Sequence, residues 1–313
     1  MHIEYIESNG VRLGVAPQIG GTLVFLSKHN SGNVIHANKE LLASSFRPDI
    51  TPEADFYPYN GHTVWLGPQS AWWTQQNVNT ERKQEASPWP PDPYTVYGEY
   101  EVASKTAQTI VLRSPASPVW GVQIEKSFAI NTDGSIFLSV LVQSVVEYPI
   151  AWDIWFNTRM KGLDRVYVPV REDDFKTEHV YNEQSTDVHT IYRDGFFSYN
   201  PTVPPEEKRE RGSKTFIYPE TPDIYAFSDK CMLHIFAEKY ASELIHPEQG
   251  HIEIFNRTAH DESDGLLELE YHAPYKKLLP GESMQSWQLW NLTEYSGGNS
   301  PDEHIEMIQS LRK

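Results

Sequence analysis

A single cysteine, Cys231, stands in 313 residues. No internal disulfide can form, so the fold must rest on burial and hydrogen bonding. Long apolar runs are missing too. No stretch reaches the length that crosses a bilayer. The opening residues, MHIEYIESNG, hold no basic segment followed by an apolar run. Neither a membrane span nor a secretory signal is expected, and a cytoplasmic setting is the default. Positive charge is scarce: 26 Lys and Arg against 43 Asp and Glu give a formal charge of −17. Such a surface repels nucleic acid and anionic lipid, which are excluded as partners. The one basic cluster, KRERGSK from Lys208 to Lys214, follows PPEE and reads as a solvated loop. A phosphate-cradling glycine loop, a G-x-S-x-G elbow and a framed Cys–His pair are all absent. HPEQGHIE (246–253) gathers His246, Glu248, His251 and Glu253 without a zinc spacing and reads as a turn into a strand. HDESD (260–264) lacks the regular oxygen-ligand spacing of a calcium loop. No metal and no cofactor are expected.

What is present is β pattern, nearly from end to end. VWGVQIEKSFAI and SIFLSVLVQSVV flank Asn131-Thr-Asp-Gly134, a hairpin signal, and Asn9-Gly10 does the same between IEYIES and VRLGVAP. Later strands are expected at 223–227, 231–237, 251–256, 266–271 and 285–292, with Cys231 in the core. Strands at this spacing without intervening helical patterns argue for an all-β fold, a large antiparallel sandwich, rather than a parallel sheet. One helix is well signalled near the C-terminus. Ser300 is placed to cap it, Pro301 takes the first helical position and Glu303 completes a capping box. Ile305, Ile308 and Leu311 then form an apolar stripe. KELLASSF (39–46) is a weaker helix candidate. The proline-rich segments ASPWPPDPY (86–94) and NPTVPPEEKRE (200–210) read as long loops over one domain spanning 1–313, because strands resume on both sides of each.

The nine tryptophans are clustered. NGHTVWLGPQSAWW (60–73) sets Trp65, Trp72 and Trp73 beside His62 and Gln69. AWDIWFN holds Trp152 and Trp155, and SWQLW holds Trp287 and Trp290. Positions three apart on a strand face opposite sides of the sheet, so each of these last pairs offers one ring to each side. A sugar has apolar C–H faces and polar edges. Flat rings among side chains that donate and accept hydrogen bonds suit it. These rings are expected to be either aromatic core or the wall of a sugar site, with the amide-rich cluster favouring the wall.

The order of motifs resembles a family. IGGTLVFLS is followed by GHTVWLGPQ, then by the hairpin IEKSFAINTDGSIFLSVLVQSV with its PIAWDIWFN continuation, and LLELEYHAPYKKLLPGES closes the series. This is similar to the galactose mutarotase-like (aldose 1-epimerase-like) supersandwich superfamily, and more closely to a bacterial branch of it with no assigned function. The resemblance implies a large antiparallel sandwich whose curved sheet holds a sugar pocket. It also implies a glutamate base on a late strand, which takes the anomeric hydroxyl proton while a histidine protonates the ring oxygen. Leu269-Glu270, Pro274 and LLPGE match that late motif, so Glu270 is the implied base. The histidine expected after the central hairpin is missing: PIAWDIWFNTRM offers Asp153, Asn157 and Arg159 instead. His62 is the replacement with the best position; His179 and His189 have no motif behind them.

The expected site is therefore Glu270 and His62 as catalytic groups. Trp65, Gln69, Trp72, Trp73, Trp152, Asp153, Trp155, Asn157, Arg159, Glu268 and His272 are the expected sugar-binding groups. Glu268, Glu270 and His272 share one strand face, and register decides whether that face lines the pocket. The expected ligand is a mono- or oligosaccharide, sugar acids included. Three functions stay open: a sugar epimerase, a non-catalytic carbohydrate-binding protein that lost its acid, and a lyase using Arg159 to neutralise a uronate.

Overall fold

The computed structural model describes residues 1–29, 31–179, 186–204, 210–228, 230–261 and 264–312. Two antiparallel sheets of ten strands each dominate it. The first runs Glu4–Ser8, Val11–Ala16, Thr22–Lys28, His62–Gly67, Ile150–Lys161, Leu266–His272, Ile252–Ala259, Glu210–Ile217, Phe175–His179, and Lys276–Leu278 also pairs with the Ile150–Lys161 strand. The second runs His189–Arg193, Phe196–Asn200, Arg165–Pro169, Asp223–Ser228, Cys231–Ala237, Ser283–Glu294, Ile136–Ser144, Val122–Ile130, Thr109–Arg113, Glu101–Lys105.

Local chemistry explains the hairpins. Asn9 and Gly10 both take positive φ, 50° and 74°, the primed-turn geometry whose twist matches the strands on either side. The expected hairpin around Asn131 joins Val122–Ile130 to Ile136–Ser144 in full register. Cys231 is buried. The C-terminal helix runs Pro301–Leu311 with the Ser300–Glu303 capping box formed in both directions, and Ile305 and Ile308 are buried beneath it. The stretch at 39–46 yields only the short helix Lys39–Ala43. Two further short helices, Thr80–Gln84 and Pro93–Val96, sit in loops with no periodic signal.

The sheets pack face to face over apolar side chains drawn from both, including Val64, Phe156, Leu267 and Leu269 of the first and Phe128, Leu138, Leu233 and Trp290 of the second. On the first sheet the alternation is strict enough to assign both faces. Phe156, Thr158, Leu267, Leu269 and Tyr271 point between the sheets; Trp155, Asn157, Arg159, Glu268, Glu270 and His272 take the opposite face. That opposite face is not open to solvent, because the segments around 36–60 and 86–94 fold over it.

Candidate active site

Five neighbouring strands of the first sheet build one floor. His62–Gly67, Ile150–Lys161, Leu266–His272, Ile252–Ala259 and Glu210–Ile217 pair in that order. Register sets Thr63 opposite Asn157, Asn157 opposite Glu270, and Glu270 opposite Glu253. One strand further, Glu253 meets Phe216, which places Lys214 diagonally across. The result is a cavity of about 520 Å³ with Glu270, Glu268, Arg159 and Lys214 in its lining. Trp65 and Trp155 form its aromatic wall, and Trp89 and Phe56 stand at it from the loops. A cavity of this size and mixed lining is of the kind that encloses small ligands.

Several buried polar atoms of the lining residues have no hydrogen-bond partner among the described residues: Glu270 Oε1, Trp65 Nε1 and Trp155 Nε1. Leaving such atoms unmade in an apolar setting costs about 1–3 kcal/mol each. A ligand with hydroxyl groups, which donate and accept at once, would satisfy them.

Beneath the cavity runs a chain of buried ionisable groups. Lys214 Nζ lies 3.0 Å from Glu270 Oε2 and 2.6 Å from Glu253 Oε2. His272 Nε2 lies 3.5 Å from Glu253 Oε1, and its Nδ1 lies 3.2 Å from Asp153 Oδ1. One ammonium thus serves two carboxylates, and the two diverge. Burial opposes the charge of both, but Glu253 also faces His272 and accepts the Gly250 N–H at 2.8 Å, and together with Lys214 these hold it well below the usual carboxylate range. At Glu270 burial outweighs the pull of Lys214 and the more distant His272, and the charges of Glu268 and Glu253 push the same way as burial, so its proton is held well above that range. His272 is raised: burial works against the imidazolium, but Glu253 and Asp153 outweigh it. Lys214 is raised for the same reason, its two carboxylates overcoming burial. Glu253, Glu270 and His272 bring ligand atoms within 4.8 Å of one another, yet the cation lodged between the two carboxylates is the lysine ammonium. A divalent ion would have to displace it.

On the other side of the floor Arg159 donates from Nε to Glu268 at 2.7 Å and from Nη1 to Thr63 Oγ1 at 3.0 Å. Its guanidinium lies over the Trp65 ring, 4.8 Å from the centroid. Gly67 is the device that lets the chain of charges close. A Cβ there would collide with the Asp153 carboxylate and the Gln249 amide, which sits 2.8 Å from His272 Nδ1. Gly67→Ala should therefore cost about 1–3 kcal/mol through overpacking, read as a lower Tm with the β signature of the circular dichroism intact.

The expected site residues divide by strand face. Glu270, Glu268, Arg159, Trp65, Trp155 and Gln69 line the cavity. Asp153, Asn157 and His272 share its face but lie under the lining, buried. His62 is displaced from the expected role. It points between the sheets, where its ring meets Trp290 at 4.9 Å and Nδ1 lies 2.8 Å from Thr158 Oγ1, and burial lowers its pKa well below the ordinary histidine value. Trp72, Trp73 and Trp152 are core rather than wall: their Nε1 groups donate to the carbonyls of Leu66, Pro90 and Trp120. Trp152 and Trp155 do split between the two faces, and so do Trp290, in the core, and Trp287, stacked on Phe137. His189 is exposed on a strand of the second sheet; the side chain of His179 lies outside the described residues.

Sequence reasoning missed four groups. Lys214, read as part of a solvated loop, belongs to the strand Glu210–Ile217 and is mostly buried, while Lys208 and Arg209 lie outside the described residues. Glu253 enters the sequence reading only as part of HPEQGHIE, whose other members go elsewhere: His246 packs on Tyr275, Glu248 accepts from Ser70 and His251 packs on Tyr271. His36 lines the cavity, half-buried, with its pKa lowered by burial and then by Arg159, Lys161 and Arg257. Trp89 comes from a proline-rich loop.

A family described as a domain of unknown function, DUF4380, matches residues 3–293. No curated protein matches the chain. Among solved structures, a galactose mutarotase related enzyme from Lactobacillus acidophilus superposes with a TM-score of 0.53 at 10% identity, covering 94% of this chain and 98% of the other. A galactose mutarotase-like protein from Clostridium acetobutylicum gives 0.53 at 10% identity over 93% and 95%. A galactose 1-epimerase from Lactobacillus acidophilus gives 0.50 at 10% identity over 93% and 93%. At such identity the likeness speaks for a shared fold.

Proposed function

The chain belongs to the DUF4380 family, built on a galactose mutarotase-like sandwich, and from that premise we propose that it binds a reducing carbohydrate and interconverts its anomers with Glu270 as the base. One observation carries the reading. Glu270 is fully buried, its Oε2 is anchored on Lys214, its Oε1 has no hydrogen-bond partner among the described residues, and the residue lines a cavity walled by Trp65 and Trp155. An anchored carboxylate with one oxygen left over suits removal of the anomeric hydroxyl proton. As that proton passes to Glu270, the C1–O1 bond becomes a carbonyl and the C1–ring-oxygen bond breaks; rotation and reclosure return the proton on either face. The leaving ring oxygen needs a hydrogen-bond donor. Arg159, a fixed cation on the same floor, fills that part by holding the developing alkoxide rather than protonating it.

A second reading is a binding protein without turnover. It is favoured by His62 facing the core and by His36, in the cavity lining, having its pKa lowered by burial. Exchange NMR on a panel of neutral aldoses and sugar acids separates the two. Line-broadening or saturation transfer between anomers above the uncatalysed rate supports the epimerase. Its rate should climb with pH well beyond the range where an ordinary carboxylate is already ionised, because the base form of a carboxyl raised by burial appears late. Calorimetric binding with no exchange supports the binder, and neither heat nor exchange for any sugar sinks both.

A further inference from the structure

We propose that the cavity takes at least two linked sugar rings, the reducing one over Glu270 and the next on the Trp89 indole at the mouth. The inference rests on the carbohydrate reading and adds to it a second subsite. Trp89 is 42% exposed, whereas Trp65 and Trp155 deeper in the cavity are buried. It is nevertheless held in place. Gln69 Nε2 donates to the Pro88 carbonyl at 2.9 Å and Trp73 Nε1 donates to the Pro90 carbonyl at 2.6 Å, so the backbone is tied on both sides of the indole. Phe56 meets it edge-on at 4.6 Å and Trp72 backs it at 5.9 Å. This gives the buried Trp72–Trp73 pair a purpose: it braces the loop that presents Trp89. An exposed, pre-positioned ring loses little freedom on binding, which is what makes an aromatic platform effective.

The spacing fits a row of rings. Trp65 stands between, 6.3 Å from Trp89 and 5.1 Å from Trp155, and Lys214 Nζ, the anchor of Glu270, lies 5.1 Å from the Trp155 centroid. The reacting end and the platform are thus separated along one aromatic wall rather than sharing one spot. A volume of about 520 Å³ lies within the range that encloses drug-sized ligands and exceeds the needs of a single hexose. His36, Asn38 and Asn60 line the same cavity and supply polar edges for the hydroxyls of an outer ring.

The experiment is calorimetry with glucose and galactose against cellobiose, maltose and lactose, on the wild type, Trp89→Ala and Trp89→Tyr. At least one disaccharide should bind the wild type about tenfold more tightly than its component monosaccharides. Trp89→Ala should bring that disaccharide down to the monosaccharide level and leave monosaccharide affinity unchanged. Trp89→Tyr, with a smaller platform, should retain part of the gain; it also carries the test if the alanine variant melts far below the wild type. Equal binding of mono- and disaccharides by the wild type, or equal losses for both in the variants, overturns the second subsite while the carbohydrate reading stands. Absence of binding by any of the sugars overturns the two together.

Discussion

Glu270→Gln should slow anomer exchange by about 10²–10⁴-fold, the usual worth of a positioned base, while sugar affinity changes little. Glutamine keeps the length of the side chain and an oxygen that accepts from Lys214, so the floor retains its shape; what it cannot do is take a proton. The same substitution should raise the Tm. The native state holds the Glu270 proton more tightly than an unfolded chain does, because burial disfavours the carboxylate. The stability linked to that proton is complete below the unfolded pKa and is lost as the pH rises through the raised folded value. Glutamine does not titrate and escapes this loss. The Tm gap between variant and wild type should therefore widen from mildly acidic to alkaline solution. Thermal melts across pH alongside exchange NMR give both readouts. An unchanged rate removes Glu270 as the base; a variant less stable than the wild type at alkaline pH means that the carboxylate is better compensated than one ammonium allows.

Much of this architecture was legible because its signals are local. A two-residue Asn-Gly turn, an alternating strand and a Ser-Pro-Asp-Glu helix start each involve neighbours in the chain. The face assignment of Glu268, Glu270 and His272 was equally local, following from a period of two. What could not be read was which face of the first sheet carried the site, and which distant residues reached it. His62 illustrates the difficulty. It lies three residues before Trp65, and that odd spacing on a strand is what sends the two to opposite sides. Trp72 and Trp73 follow a turn and tuck under the sheet end, where buried carbonyls take their N–H groups. Lys214 was obscured by the charges before it in KRERGSK. A cation alternating with Gly212 and Phe216 on one strand face was the usable sign, but only the pairing with Glu253 and Glu270, dozens of residues away, makes it central.

Lys214→Met should be the most damaging single change to the fold, costing about 3–5 kcal/mol, the scale for removing one partner of a buried ion pair. With roughly 2–4 °C per kcal/mol for a sizeable domain, the Tm should fall by roughly 10 °C. The methionine fills most of the space, so the loss is electrostatic: Glu253 is left buried with His272 as its remaining ion-pair partner, and Glu270 loses the ammonium in contact with it. The sign of the pH effect separates this from a packing defect. Glu253, held below its ordinary range by burial-resisting partners, contributes stability that is present above the unfolded pKa and is lost as the pH falls through the folded one. Much of that contribution is the ammonium's, so the gap between wild type and variant should narrow on acidification; a packing defect would persist at all pH. Adding Glu253→Gln to Lys214→Met should restore part of the loss, with the double change costing less than the sum of the two. If Lys214→Met melts like the wild type at neutral pH, the ammonium is not the counter-charge of the cluster. The 4.8 Å grouping of Glu253, Glu270 and His272 would then call for a cation from solution, and a rise in Tm on adding a divalent metal to the variant would identify it.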